Sequence, residues 1–390
     1  MSVTFPRGFV AAGVAGGIKP DGRLDLALVA SESGPVPAAA VFTANKAAAA
    51  AVQVSRRHLA AARGRCLAVV LSSGNANAAT GDQGVADATE LCAGVADGLG
   101  GRGPEDVLVC QTGLIGIPMP MDPVRRALPL LLADLGADEE AGARAARAIM
   151  TTDTRRKEAV AQADGWRVGA MAKGAAMLAP DMATMLAVCT TDVVVEPDVL
   201  QRALRRAVAG TFNRLTVDGC TSTNDTVAVM ASGASGVTAT EDDLAVVLDQ
   251  VCGSLAEQMA ADGEGATKVA VVRVEGAVSD DEAHRAARKV AESQLVQCSL
   301  NGADPYWGRV VSELGSAGVA FELDRVEIAY GGVVVCRRGE AAGHDAAAVA
   351  AHMAGDRIDL TCRLGLGTGT AAVLTTDLGY GYIDENRTTS

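Results

Sequence analysis

Lys173-Gly174-Ala175-Ala176-Met177-Leu178-Ala179-Pro180-Asp181-Met182-Ala183-Thr184-Met185-Leu186 is the stretch on which the reading of this chain turns. A loop carrying Pro180 runs straight into an apolar run, Met185–Val195, which reads as a buried strand. Thr184 stands at the joint. If the peptide bond before it were cut, its hydroxyl would lie beside its own free α-amine. Such an amine has an unperturbed pKa of about 7.7–8.0 and can act as a base near neutral pH. Nucleophile and base would then belong to one residue, and no histidine would be needed. Spacing alone leaves a second reading open, an ordinary threonine opening a strand.

Outward from that stretch, short apolar runs alternate with longer helical patterns, which indicates layered α/β or α+β architecture. Strands are expected at Leu26–Ala30, Leu67–Ser72, Val107–Gln111, Val269–Val274, Val326–Tyr330 and Val333–Cys336. A capping box, Ser279-Asp280-Asp281-Glu282, opens a helix whose apolar face is Ala283, Ala286, Ala287, Val290 and Ala291. Pro197 marks the first turn of another, with Val199, Leu200, Ala203, Leu204 and Val208 on one face. Further helices are expected near 84–98, 122–134, 139–149 and 242–261. The residues from 281 to 390 read as a smaller C-terminal α+β unit. Gly365-Leu366-Gly367-Thr368-Gly369 lacks the spacing of a dinucleotide loop and reads as a hairpin between Ile358–Leu364 and Ala371–Thr376.

Composition narrows the function. The chain has 390 residues, 49% hydrophobic and 21% charged, as expected of a globular protein. A net charge of −13 disfavours nucleic acid or an anionic membrane as partner. The N-terminal stretch lacks the layout of a secretory signal, and no apolar run has the length of a membrane helix. Nine cysteines without a C-x-x-C pair fit reduced thiols in a cytoplasmic protein. The four histidines are scattered, no metal-ligand spacing is present, and no cofactor is implied.

Two further segments carry candidate chemistry. Ser73–Gly81 follows a strand and precedes a helix, and suits either close backbone approach to a ligand or a tight connection. Thr112-Gly113 ends a strand. It can present a hydroxyl and a backbone N–H to a developing oxyanion, or simply make a turn.

Together these segments resemble the ornithine acetyltransferase (glutamate N-acetyltransferase) family of arginine biosynthesis. The likeness covers essentially the whole chain. It takes in Lys173–Leu186, Ser73–Gly81, Thr112–Gly116, Ala148–Thr154, Thr221–Thr226, Asp262–Lys268, Asp304–Arg309 and Tyr382–Asn386. The resemblance implies an αββα sandwich of the kind found in N-terminal-nucleophile enzymes. It implies self-cleavage between Ala183 and Thr184 into an α chain, 1–183, and a β chain, 184–390, assembled as α2β2. It further implies acetyl transfer from N-acetylornithine to glutamate through an acetyl-Thr184 intermediate, with acetyl-CoA as a candidate second donor. Thr112 and Gly113 match the oxyanion pair. Thr151, Lys173, Thr184, Glu264, Asn386 and Ser390 match the substrate contacts. Gln111, Cys220, Tyr306 and the short tail after Asn386 depart from the usual pattern. Those departures leave room for a related acyltransferase or amidohydrolase of secondary metabolism with a different acceptor.

Overall fold

The computed structural model describes residues 2–177 and 185–387; Ala183, Thr184 and Ser390 lie outside the described residues. The described residues form two compact units, one of 2–177, 185–213 and 220–259, the other of 214–219 and 260–387.

The first unit contains strands β1 (Phe9–Val14), β2 (Leu26–Ser31), β3 (Val36–Phe42), β4 (Arg65–Cys66), β5 (Ala68–Asn75), β6 (Val107–Leu114), β7 (Lys157–Ala163), β8 (Trp166–Lys173), β9 (Leu186–Thr191) and β10 (Thr226–Ala231). Its helices are α1 (Ala50–Ala61), α2 (Gly81–Leu99), α3 (Met121–Ala133), α4 (Glu139–Ala148), α5 (Pro197–Gly210) and α6 (Glu241–Ala260). A four-stranded sheet runs β1-β2-β5-β6, and a six-stranded sheet runs β4-β3-β10-β9-β8-β7. The pairs β5–β6 and β9–β10 are parallel; the others are antiparallel.

The sheets stack face to face. Ala27, Val69, Leu71, Leu108 and Cys110 of the first meet Ala38, Met171, Leu186, Val188 and Met230 of the second in one core. On the opposite face of the first sheet, Leu28, Val70 and Val109 pack with Val54, Leu91, Val95, Val124 and Leu131 of α1, α2 and α3. The outer face of the second sheet receives α5, where Gln201 bonds both Ala40 N and Ala40 O across to β3. It also receives α6, where Cys252 meets Cys189 of β9. The order is therefore helix, sheet, sheet, helix, the expected αββα sandwich. The helix α4 enters the space between the sheets, and Gly13 makes room for it. A Cβ on Gly13 would lie 2.4 Å from the Arg144 carbonyl oxygen.

The strand expected over 185–195 is shorter, ending at Thr191. Asp192 turns the chain there, because its carboxylate takes the N–H groups of Arg167 (2.7 Å) and Arg7 (3.3 Å).

The second unit holds β11 (Val269–Ala277), α7 (Asp280–Ala291), α8 (Gln294–Asn301), α9 (Trp307–Gly315), β12 (Glu327–Tyr330), β13 (Val333–Arg337), β14 (Glu340–Ala341), α10 (Ala346–Met353), β15 (Arg357–Arg363), β16 (Gly369–Thr376) and α11 (Tyr380–Glu385). The Ser279 hydroxyl caps α7 by accepting the Glu282 N–H, and the five residues read as its apolar face are all buried. Two expectations need correction. The unit begins near 260, ahead of 281, because β11 is an inner strand of its sheet, β14-β13-β12-β15-β11-β16. For the same reason 358–376 is no hairpin. β11 lies between β15 and β16, parallel to one and antiparallel to the other. The glycine loop instead closes on β11, as Leu366 N and Gly367 N both donate to the Gly276 carbonyl at 2.7 and 2.9 Å.

Gly13→Ala is expected to destabilise the first unit by about 1–3 kcal/mol, since α4 must move off β1. A lowered urea midpoint measures this; an unchanged one would show that α4 shifts freely.

Candidate active site

The ends of the parallel strands β5 and β6 lie side by side, with Ser73 opposite Thr112 and Gly74 opposite Gly113. Gly113 has φ +131°, and a Cβ there would sit 2.3 Å from the Gly74 carbonyl carbon, so only glycine fits. Beyond β5, the amide side chains hold the loop together. Asn75 Nδ2 donates to the Ile117 and Pro118 carbonyls, each at 3.1 Å. Asn77 Nδ2 donates to Gly84 O and Gln111 Oε1, each at 2.8 Å. Ser73–Gly81 is thus a tight connection whose amides serve the loop. Gln111, which departs from the family pattern, is buried in the same network.

The amide of Asn224 braces both strand ends. Its Nδ2 donates to Ala76 O at 2.6 Å and to Gln111 O at 2.8 Å, using both of its hydrogens. Leaving those two buried carbonyls unpaired would cost about 1–3 kcal/mol each. Asn224 lies in the Thr221–Thr226 motif, yet nothing local in the sequence assigns it this task.

Lys173 ends β8 and is almost fully buried. Its Nζ donates to the Thr112 hydroxyl oxygen at 3.3 Å, joining the second sheet to the strand end of the first. The next residue, Gly174, donates its N–H to Asp153 Oδ1 at 2.8 Å. The same oxygen accepts from Lys157 Nζ at 2.6 Å, an ion pair in which neither side chain is exposed. The other oxygen, Oδ2, accepts the Thr151 N–H at 2.9 Å. One carboxylate therefore gathers Thr151, Lys157 and the end of β8. Burial alone would raise the Asp153 pKa, but the Lys173 and Lys157 cations and the hydrogen bonds overcome it and hold it at about 2. Three expected site residues, Thr112, Thr151 and Lys173, thus converge, and Gly113 is next to the first of them. The organiser, Asp153, was not anticipated.

Thr184 itself lies outside the described residues, but its successor is fixed. Met185 N donates to Asp225 Oδ1 at 2.9 Å, and Leu186 pairs with Lys173 across the sheet. Burial pushes the Asp225 carboxyl well above the usual carboxylate range. The Met185 N–H, the Ser222 hydroxyl and Lys173 only partly counter it.

In the second unit, Asn386 Nδ2 donates to Glu264 Oε2 at 2.7 Å, so these two expected residues also meet. Asp377 supports their loop. Its carboxylate takes the N–H groups of Thr267 and Lys268, both at 2.8 Å, the Thr267 hydroxyl at 2.6 Å and Asn301 Nδ2 at 2.7 Å. At Gly265 any Cβ would meet Tyr382 N at 2.0 Å, so α11 packs directly on that backbone. Among the described residues no cluster of three or more His, Cys, Asp or Glu is arranged to hold a metal ion. No helix among them is long and apolar enough to cross a membrane.

The ArgJ family model matches residues 10–388. The chain belongs to the ArgJ family. It is 47% identical over 389 residues to the arginine biosynthesis bifunctional protein ArgJ of Mycolicibacterium paratuberculosis, across 98% of this chain and 95% of that one. Its identity to the Streptomyces coelicolor protein of the same name is 46% over 387 residues, across 99% of each. Among solved structures, ornithine acetyltransferase complexed with ornithine, from Mycobacterium tuberculosis, is 44% identical over 46% of this chain and 94% of that one, with a TM-score of 0.44. As an ArgJ-family protein the chain is an acetyltransferase of arginine biosynthesis acting on small molecules, as the sequence motifs had indicated.

The low pKa of Asp153 links the site to acid stability. Its folded value, about 2, lies below the ordinary 3.8, so its contribution is complete above about pH 4. It is lost as pH falls through about 2. The size is about 2–3 kcal/mol. Urea unfolding of the wild type and of Asp153→Asn should therefore differ most at neutral pH and converge toward pH 2. A gap that does not change with pH would contradict the assignment.

Proposed function

We propose that this chain is a self-processing glutamate N-acetyltransferase in which Ala183–Thr184 is the bond that breaks, giving chains 1–183 and 184–390. The observation that carries this reading is the meeting of Lys173, Thr112 and Gly113 beside the first residues of β9. Lys173 pairs with Leu186, two residues after Thr184.

The chemistry follows from the residue types. The Thr184 hydroxyl attacks the acetyl carbonyl of N-acetylornithine, and the Thr184 α-amine takes its proton. The Thr112 hydroxyl and the Gly113 N–H stabilise the oxyanion. The carbon–nitrogen bond breaks, the proton passes to the departing ornithine amine, and an acetyl ester remains on Thr184. The amine of glutamate then attacks that ester, restoring the free hydroxyl. Acetyl-CoA can supply the same acetyl group as a thioester, with no resident cofactor. Lys173 and Thr151 are assigned to substrate carboxylate and polar groups, and Glu264 to the ornithine ammonium. Asn386 orients Glu264, and Ser390 belongs to the same contact set. We place the enzyme in the cytoplasm as an α2β2 assembly, in keeping with nine cysteines that are all free of disulfides.

Intact-mass analysis tests the reading. The purified protein should give two chains divided at 183/184, and N-acetylornithine should add one acetyl group to 184–390 alone. Thr184→Ala should remain uncut and unlabelled. A wild-type chain that stays whole, or that passes no acetyl from N-acetylornithine to glutamate, would overturn the assignment.

A further inference from the structure

The contact between Lys173 and Thr112 has a second meaning beyond substrate binding. A hydroxyl group donates one hydrogen bond and accepts others through its oxygen. Here the oxygen of Thr112 already accepts from a buried lysine at 3.3 Å. With the ammonium on that side, the hydroxyl proton is turned away from Lys173. The positive charge also draws electron density from the oxygen and makes the hydroxyl a stronger donor. Thr112 itself is only 2% exposed and Lys173 only 3%, so water competes little for either group.

We propose that Lys173 is a positioning residue of the oxyanion hole: it orients and polarises the Thr112 hydroxyl, and Asp153 fixes the backbone from which it reaches. The Gly174–Asp153 bond and the Asp153–Lys157 ion pair hold the end of β8, so the Lys173 stem starts from a defined place. Among the described residues the Asp225 carboxyl also lies near the lysine, and its burial disfavours ionisation. The inference rests on the proposed acetyl transfer. It adds that Lys173 acts on the rate of the chemical step through Thr112, where a carboxylate anchor alone would act on substrate affinity.

A double-mutant cycle separates the two roles. Wild type, Lys173→Met, Thr112→Val and the double variant are compared for the rate of acetyl-enzyme formation at saturating N-acetylornithine, read by intact mass after rapid quenching. Each single change should lower the limiting rate roughly 100-fold, at the lower end of the range expected of one oxyanion donor. The double variant should fall no more than about threefold below the slower single one, since both changes disable the same hydroxyl. Lys173→Arg, which keeps a cationic donor, should recover part of the rate. The proposal is overturned if Lys173→Met raises only KM at an unchanged limiting rate, or if the two losses multiply. Should a variant stall as uncut precursor, the rate at which Thr184 becomes an N-terminus is compared in the same cycle, and multiplying losses there overturn the proposal equally. A wild type that neither cuts nor acetylates refutes the underlying function instead, so the two failures are distinguishable.

Discussion

The carboxylate of Asp153 is the constraint on which the catalytic unit is built. An unpaired ion in a protein interior costs several kcal/mol, so such a charge survives only where the fold supplies partners. Here the partners come from three places: the turn at Thr151, the first residue of β7 and the peptide after β8. None of these segments can shift without exposing or orphaning the charge. The position of the Lys173 ammonium is inherited from that restraint, and through it the position of the Thr112 hydroxyl. The same logic operates in the second unit, where Asp377 ties the loop after Glu264 to Asn301. In both cases a buried acid converts a flexible loop into a rigid support for a polar group.

Legibility in the sequence varied with how local the cause was. The helices α5 and α7 could be read because their signals lie within one turn: Pro197 at the start of one, the Ser279–Glu282 box at the start of the other. The strands β1, β3 and β10 gave no such signal. Phe9–Val14, Val36–Phe42 and Thr226–Ala231 are alanine-rich, and alanine is a weak strand former. In β10 both faces are buried, one toward the other sheet and one toward the helices, so the alternation that marks a strand is missing. The hairpin expected after Ile358 failed for a related reason. Two strands separated by a glycine loop look like partners, but the space between them is filled by β11, about a hundred residues earlier in the chain.

Within the candidate site, residues whose expected role rests on their own chemistry were visible and those that support other groups were not. Gly113 was legible because a glycine after a strand end announces a special backbone, and the structure leaves no room for a Cβ there. Lys173 and Glu264 were legible as charges in motifs. Asn224 was not, since its value lies in donating to Ala76 and Gln111, carbonyls that only the folded chain brings to it. Asp153 and Asp225 lie inside the family's motifs but, like Lys157, have no role readable there and acquire theirs from burial. The departure at Gln111 turns out to be a matter of packing, filled by bonds to Asn77 and Ser72.

The two acids near Lys173 carry the same side chain but respond to opposite surroundings. Asp153 faces two lysines and accepts hydrogen bonds from Thr151, Lys157 and Gly174, so it stays ionised far below neutral pH. Asp225 has the same side chain, but burial dominates over its few donors and pushes its pKa up. Among the described residues, both acids lie near Lys173, but Asp153 holds its charge and Asp225 is pushed toward its neutral form. The buried ammonium beside the Thr112 hydroxyl suits the stabilisation of the negative oxygen that the proposed acyl transfer would form. Environment, more than residue type, sets how readily each acid carries its charge.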